Sequence, residues 1–410
     1  MSPSTAHLYT ADTDVSASFA PVDVAGQQGA WYAGAAAAAP LFSPPPPSIS
    51  PRLPQASPLL SPPPPPAPTT GNEGESSPPQ AHAHLEADEG FLSDDDSAYG
   101  SSVASSSLSL ASSITHYKYE NGRRYHAYRE GEYILPNDEE EQARLDLQHH
   151  IYRLGIGGAL YTAPIDQAGY RLQAALDIGT GTGIWAIEFA DAHPGTTVLG
   201  TDLSPIQPGL VPPNVKFYVD DLEESWSFPE VALGFDYIHW RSLNGSTGDW
   251  PRLYRQAWQH LRPGAWLEVQ EYDAWVYSDE DAALTRAPCT REWCATLDRV
   301  STQFGKVLNV GRLQRRWMLE AGFVDVVERV VKVPVGPWAR ARELKELGRY
   351  ERCHMNESVE AHSMALYTRV LGYTAEQAAA SFAKVRAELN DRSLRLYTVY
   401  RFLHGRRPEK

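Results

Sequence analysis

The sequence predicts an α/β fold on an open, mostly parallel sheet, preceded by a long tail that does not fold. Three observations predict it. A buried strand, a glycine turn and a helix start follow one another in Ala175–Ala190, "ALDIGTGTGIWAIEFA". Strand-like and helix-like segments alternate from Ala174 to Tyr272, the order that gives a parallel sheet with right-handed crossovers and helices on both faces. The first quarter of the chain, by contrast, lacks the material of a core.

That first quarter is read from composition. Half of the 32 prolines fall between Pro40 and Pro79, in runs such as Pro44 to Pro47 and Pro62 to Pro66. Serine dominates from Ser93 to Ser113, beside Asp94, Asp95 and Asp96. Up to Ser112 there are 11 acids and one base, Arg52, so this stretch carries −10 of the chain's −15. Too little apolar surface is present to offset the entropy of ordering it, and 1–113 is expected to be disordered. The run Ala35 to Ala39 is too short for a helix standing alone. The proline runs suit spacers, or ligands for modules that grip polyproline.

Composition also excludes function classes. The start shows no basic region followed by an apolar one, so no signal peptide is expected. No apolar run approaches the ~18 residues of a membrane span. Three cysteines, Cys289, Cys294 and Cys353, give neither a disulfide framework nor the paired spacing of a zinc site. The acidic balance argues against a surface that tracks nucleic-acid phosphates. A nuclear or cytoplasmic location is expected, and Arg406-Arg407 is too short for an import signal.

The ordered part is expected over 114–408. Within it, 114–170 reads as a cap segment, 171–273 as a ligand-binding core and 274–408 as a helical region with C-terminal strands. "YENGRRYHAYREGEYILPND" suggests a packed strand or loop. A helix follows, capped by Asn137 or Asp138, with acids in its first turn and Leu145, His149 and Tyr152 on one face. Ala175–Gly179 then reads as a strand and Ile184–His193 as a helix. Strands follow at Thr197–Leu203, Val215–Asp221 and Phe235–Trp240. Trp250–Leu261 has helical spacing, stopped by Arg262-Pro263-Gly264, and Ala265–Tyr272 is the fifth strand. Helices are expected at Ala282–Phe304 and Leu313–Ala321, and a sixth strand at Phe323–Val333. An insertion of helices follows (Ala339–Tyr350, Val359–Leu371, Ala375–Leu389), then a last strand at Leu394–Gly405.

The glycine turn admits two ligands. Gly181, Gly183 and Ala186 fit the dinucleotide fingerprint. Asp177, Gly179, Gly181 and Gly183 fit D-x-G-x-G-x-G, which needs no pyrophosphate. Asp202, ending the second strand, suits ribose hydroxyls on either reading. Three features separate them. Asp177 would repel a pyrophosphate but receive an ammonium. The third strand ends in Asp220-Asp221, one of which can accept from an adenine amino group while Leu222 packs on the ring. No second mononucleotide half is present. S-adenosylmethionine, with adenosine, an amino-acid ammonium and no phosphate, meets all three conditions. Thr180 and Leu203 lie in the same two strand ends and join the candidate cofactor set.

This order of parts resembles the class I methyltransferases. The stretches "ENGRRYHAYREGEYILPNDEEEQARLDLQHH", "LDIGTGTGIWAIEFA", "GTDLSPIQPGLVPPN", "DWPRLYRQAWQHLRPGAWLEVQE" and "HSMALYTRVLGY" look more narrowly like the LaeA-like methyltransferases of fungi, over about Lys118 to Pro408. The resemblance implies a Rossmann-like sheet of seven strands, mostly parallel with the last antiparallel, and a helical insertion before that last strand. It implies S-adenosylmethionine, a small-molecule or protein methyl acceptor and a role in secondary metabolism. In some members it implies work as nuclear regulators with velvet-type partner proteins.

The reaction expected is an in-line displacement at a sulfonium methyl, in which the protein supplies mainly proximity and alignment. No catalytic base stands out, and no metal is expected. His239, Trp240 and Arg241, after the fourth strand, are candidates for the acceptor side. Trp240 can face a sulfonium or fill the core. Arg241 can hold an acidic group of cofactor or substrate, or pair with Asp236. Arg144 and His149 are candidates to reach the cofactor's carboxylate, with Tyr125 and His126 behind them. The plain alternative for that helix is a surface role with Glu140–Arg144 pairing.

Overall fold

An Asn-Gly hairpin opens the ordered part of the computed structural model, which describes residues 7–9, 117–126 and 133–410. The disorder expected over 1–113 lies outside these residues, apart from a three-residue strand, β1 (His7–Tyr9). Strands β2 (Lys118–Glu120) and β3 (Arg123–Tyr125) pair antiparallel. Asn121 and Gly122 turn between them at φ 51° and 78°, both positive, as a two-residue type I′ turn requires.

Helix α1 (Glu139–Gly155) follows. Asp138 caps it, accepting the Glu141 N–H at 3.0 Å. The same carboxylate accepts two hydrogen bonds from Arg123, at 2.6 and 2.8 Å, and so clasps the hairpin to the helix.

The sheet runs through β4 (Ala174–Ile178), β5 (Thr197–Asp202), β6 (Val215–Val219), β7 (Phe235–Arg241), β8 (Leu261–Tyr272), β9 (Val324–Pro334) and β10 (Tyr397–Arg406). Its order is β1-β6-β5-β4-β7-β8-β10-β9. Strands β4 to β8 pair in parallel, and β10 is antiparallel to both β8 and β9. The seven expected strands are therefore present with the expected polarity, and β1 adds an antiparallel eighth outside β6.

Helices α2 (Ile184–Ala192) and α3 (Trp250–His260) fill the crossovers, and α4 (Pro288–Phe304) and α5 (Gln314–Glu320) precede β9. The insertion between β9 and β10 holds α6 (Arg342–Ala361), α7 (Met364–Arg369) and α8 (Ala375–Leu389).

Several boundaries differ from the sequence reading, three of them with a clear local cause. Helix α4 starts at Pro288, not Ala282, because the residue before a proline is pushed out of the helical region; Ala287 sits at φ −124°, ψ 60°. Residues expected as the end of one helix and the start of the next form the single helix α6, which stops at His362. Arg262-Pro263-Gly264 ends α3 but already belongs to β8, and the pairing shift between Phe235 and Tyr237 absorbs it.

Every residue of β4 is buried. Alternation along it sends Leu176 and Ile178 into one layer, with Ile238 and Trp240, and Ala175 into the other, with Trp185, Phe189 and Tyr237. The chain runs outward from β4 to β6 and then returns to β7 and β8. That reversal leaves a crevice beyond the carboxyl ends of β4, β5 and β7, the place where open α/β sheets bind ligands.

Candidate cofactor site

The turn after β4 can be made only by glycine at its two ends. Gly179 and Gly183 sit at φ 64° and 81°. A Cβ on Gly179 would lie 2.3 Å from Leu243 Cδ2, and one on Gly183 would lie 2.6 Å from Phe217 Cζ. The turn is tied to the next strand: Asp202 Oδ2 accepts the Gly181 N–H at 2.8 Å, and Oδ1 accepts the Ser204 N–H at 2.9 Å. Burial pushes the Asp202 carboxyl up to about 6, against those two hydrogen bonds and with a smaller push from Asp177.

A cleft open to solvent lies over this turn. Gly179, Thr180, Gly181, Asp202, Leu203, Asp220, Leu222 and Arg241 line it. The expected cofactor residues of three strand ends thus meet at one opening, with Arg241, the last residue of β7, beside them.

Other candidates are placed elsewhere. Asp177 is 3% exposed and does not line the cavity. Its carboxylate accepts from Thr180 Oγ1 at 2.6 Å and pairs with His239 Nδ1 at 2.7 Å, so it positions Thr180 from below. Gly183 shapes the turn without lining the opening. Asp221 is also turned away and accepts the Glu223 N–H at 2.9 Å.

His239 is fully buried, stacked on Trp185 with ring centroids 3.7 Å apart, and is not placed to take a proton in the cavity. Trp240 is equally buried, edge-on to Tyr254 at 5.1 Å, and belongs to the core on the opposite face. The parity of β7 decides both positions. Tyr125 and His126 are buried outside the cavity, Tyr125 beneath Arg369.

Helix α1 closes the opening along a stripe of which the sequence reading placed Leu145 and Tyr152 but not Glu141 or Gln148. Glu141, Leu145 and Gln148 line the cavity, and Tyr152 continues the same stripe. Arg144 does not reach it. Its guanidinium makes bidentate contact with Glu141, at 2.6 and 2.9 Å, and a third bond to His354 at 2.7 Å. Burial opposes the Arg144 charge, but Glu141 more than offsets it and holds the pKa above its ordinary value. The Glu140–Arg144 pairing considered for this helix is replaced by the pair three residues apart. His149 contacts Glu188 at 3.1 Å, and burial drives its pKa down to about 2. It is therefore neutral and cannot serve as a cation for a carboxylate.

Arg241 does not pair with Asp236. Asp236 is taken by Arg262 at 2.7 Å, and by the N–H groups of Gln173 and Ala174 at 2.7 and 3.0 Å. Ahead of the helix, Tyr133, Pro136 and Asn137 complete the rim. Asn137 Nδ2 donates to Ser204 Oγ at 3.1 Å, tying the cap segment to the loop after β5. No helix among the described residues is long and apolar enough to cross a membrane.

A methyltransferase domain model matches residues 147–326. Methyltransferase pytC of Aspergillus terreus is 44% identical over 285 residues, which cover 69% of this chain and 86% of that protein. The secondary metabolism regulator laeA of Aspergillus fumigatus is 36% identical over 292 residues, covering 70% and 76%. The protein-methionine methyltransferase laeA of Emericella nidulans is 34% identical over 292 residues, again covering 70% and 76%.

Proposed function

We propose, because this chain belongs to the LaeA-like methyltransferases, that it transfers a methyl group from S-adenosylmethionine to an acceptor in secondary metabolism. The residues present fit that cofactor. Gly179 and Gly181 line the opening with backbone alone, and Gln148, whose buried Nε2 has no partner, lines it beside them. Asp202 would hold the ribose, and Asp220 with Leu222 the adenine. Gly179 to Gly181 would pass beneath the amino-acid end, with Asp177 fixing Thr180.

When bound, the cofactor supplies a methyl group on a sulfonium, a leaving group that needs no help from the protein. The chain's own share is therefore alignment and the exclusion of water. Glu141, Leu145 and Gln148 close the opening from above. His239 has Asp177 and Trp185 against it and moves no proton there.

One observation carries the reading: Asp202 joins the glycine turn at 2.8 Å while lining the same cavity as Asp220 and Leu222. Calorimetry with S-adenosylhomocysteine and with NADPH tests it. Binding of S-adenosylhomocysteine alone is expected, and binding of NADPH alone would overturn it.

The acceptor is a small-molecule intermediate or another protein. One relative is named for methylating protein methionine. Here Met318, Met355 and Met364 are all buried, so none of the described methionines is presented as an acceptor in the folded protein.

A second reading is favoured by the relatives named as regulators of secondary metabolism. On it the protein is a nuclear regulator that binds the cofactor but works mainly through partners, velvet-type proteins among them. Replacing Gly181 and Asp202 separates the two: regulation that survives loss of cofactor binding favours this second reading.

A further inference from the structure

A second pocket lies between the end of β8, α4 and α6, and it shares no lining residue with the cofactor cavity. Its walls are apolar: Trp275, Val276, Trp293, Leu297, Leu308 and Met355 line it. The Trp293 ring is fixed, since its N–H donates to Ser363 Oγ at 2.7 Å.

The polar groups of this pocket offer no free charge. The Tyr272 hydroxyl meets His362 Nε2 at 3.2 Å. Burial drives the His362 pKa well below its ordinary value, so the imidazole is neutral. Asp273 also lines the pocket, but its carboxylate is taken by Arg401 at 2.7 Å, Tyr277 at 3.0 Å and Arg312 at 3.2 Å. Among the described residues, no lysine or arginine lines it.

One layer of residues separates the two openings, and three contacts cross it. Glu141 lines the first opening, and Arg144, bonded to it at 2.6 Å, reaches Ser358 of the second at 3.5 Å. Leu243 lines the first, and its N–H donates at 2.8 Å to Glu271, the residue before Tyr272 of the second. Gly245 lies between Leu243 and Ser246 of the first, and a Cβ on it would come 2.8 Å from Leu308 Cδ2 of the second. Within this layer Asn244 is 2% exposed, and its Nδ2 has no hydrogen-bond partner. Strand β8 lies beyond β7, on the side of β4 away from β5 and β6, where the adenosine residues stand. The second pocket is therefore on the side from which an acceptor would approach.

We propose that this second pocket receives the methyl acceptor, and that the acceptor is a neutral small molecule with a flat apolar ring and one hydroxyl or carbonyl group. This rests on the cofactor reading above. Two indoles with aliphatic and thioether side chains around them suit a ring, which they can touch on all sides. A charged acceptor would lose its hydration with no opposite charge to meet, so carboxylates, phosphates and ammonium groups do not fit. Trp293, Leu297, Leu308 and Met355 are each at most 6% exposed. So little of the wall faces solvent that a free small molecule fits it better than a segment of a folded protein. The acceptor's one polar group lies at the inner wall, where Tyr272, His362 and Asn244 supply uncharged hydrogen-bonding groups.

Ligand-detected NMR on the full chain, with S-adenosylhomocysteine present, tests the pocket. The probes are 4-methylphenol and its charged counterparts, 4-methylbenzoate and 4-methylbenzylammonium. The phenol is expected to bind, and the charged probes at least about tenfold more weakly, as for burying an unpaired charge. Ala274→Leu adds bulk to the lining and should weaken the phenol by about tenfold or more, while S-adenosylhomocysteine affinity, read by calorimetry, stays within about twofold. Leu297→Ala carries the opposite sign and keeps the test open if that variant fails to fold: the widened pocket should tighten 2-naphthol by about fivefold. Tyr272→Phe should weaken 4-methylphenol by about fivefold, as for one neutral hydrogen bond, and leave toluene unchanged. Labelled S-adenosylmethionine, offered with an extract of the cells that make the protein, should place label in uncharged, solvent-extractable molecules, and Ala274→Leu should lose that label. Charged probes that bind as tightly as the phenol overturn the proposal. So does phenol binding that neither pocket variant moves, or label confined to protein. A parent protein that binds S-adenosylhomocysteine but no phenol overturns the pocket alone. If it binds no S-adenosylhomocysteine, the cofactor reading itself fails, and the acceptor assignment with it.

Discussion

Asp202 Oδ2 accepts the Gly181 N–H at 2.8 Å, so the acid that ends β5 and the glycine turn that follows β4 move as one unit. Its other oxygen accepts the Ser204 N–H at 2.9 Å. The carboxylate is therefore fixed before any ligand arrives, with its remaining acceptor capacity turned toward the cavity.

The first prediction concerns pH. Burial pushes Asp202 up to about 6. The sign follows from the chemistry: ribose hydroxyls donate, so the binding form is the deprotonated carboxylate, and affinity is lost as pH falls through that value. S-adenosylhomocysteine affinity should be flat above pH 7 and fall by about tenfold per unit well below pH 6. Asp202→Asn should bind more weakly and show no such slope. Calorimetry between pH 5 and 8 reads both, and a wild-type profile without a slope would remove the acid from the site.

The second prediction concerns the wall of the cavity. The Arg144 and Glu141 side chains are 3% and 2% exposed and 2.6 Å apart, and Arg144 also reaches His354 across to α6. Removing one partner strands a buried charge. Arg144→Met should cost about 3–5 kcal/mol in urea unfolding, while Arg144→Met combined with Glu141→Leu should cost much less, because no charge is then left alone. A double variant as unstable as the sum of its parts would refute this.

These residues also show what the sequence could convey. The turn after β4 and the acids at the ends of β5 and β6 were readable because each is set by a short local pattern: a strand, its last residue, a glycine. The rotation of α1 was not. The expected stripe (Leu145, His149, Tyr152) and the observed one (Glu141, Leu145, Gln148, Tyr152) share Leu145 and Tyr152 and part where Gln148 rather than His149 meets the cavity. Which stripe meets the cavity is decided by Arg144 bonding to residues 210 and 214 positions away. The parity of β7 was hidden too. Phe235 to Trp240 are buried without a break, so alternation of polarity gives no sign that His239 and Trp240 face inward on opposite sides. Arg241 remained ambiguous for a similar reason: whether Asp236 is available to it depends on Arg262, at the corner between α3 and β8.

A third prediction is that the folded protein does not methylate its own described methionines. Met318 is fully buried, and Met355 and Met364 are each 5% exposed. An in-line displacement needs the thioether to meet the methyl group within a few ångströms, which none of these side chains can do without unfolding of its surroundings. Incubation with isotope-labelled S-adenosylmethionine and peptide mass spectrometry should find no label on them. Label on any of the three in native protein would show an opening of the fold not seen here.

The last prediction separates the shape of the turn from its contacts. Gly183 does not line the cavity, yet its replacement should weaken the ligand. A Cβ there would lie 2.6 Å from Phe217 Cζ, and the same ring would meet a Cβ on Gly200 at 2.6 Å. Phe217 thus lies over two glycines of neighbouring elements, and it belongs to β6, just before Asp220 and Leu222. Gly183→Ala places a side chain at φ 81°, which costs about 1–2 kcal/mol from the backbone alone, and it also displaces the ring. Pushing Phe217 shifts the end of β6, so S-adenosylhomocysteine affinity should fall together with stability. Adding Phe217→Leu makes room and should restore part of the stability, giving a double variant less impaired than the sum of the two changes. Gly209→Ala, with open space around its Cβ, should be neutral in both measurements. A Gly183→Ala protein that binds as tightly as the parent would show that β6 does not transmit the displacement.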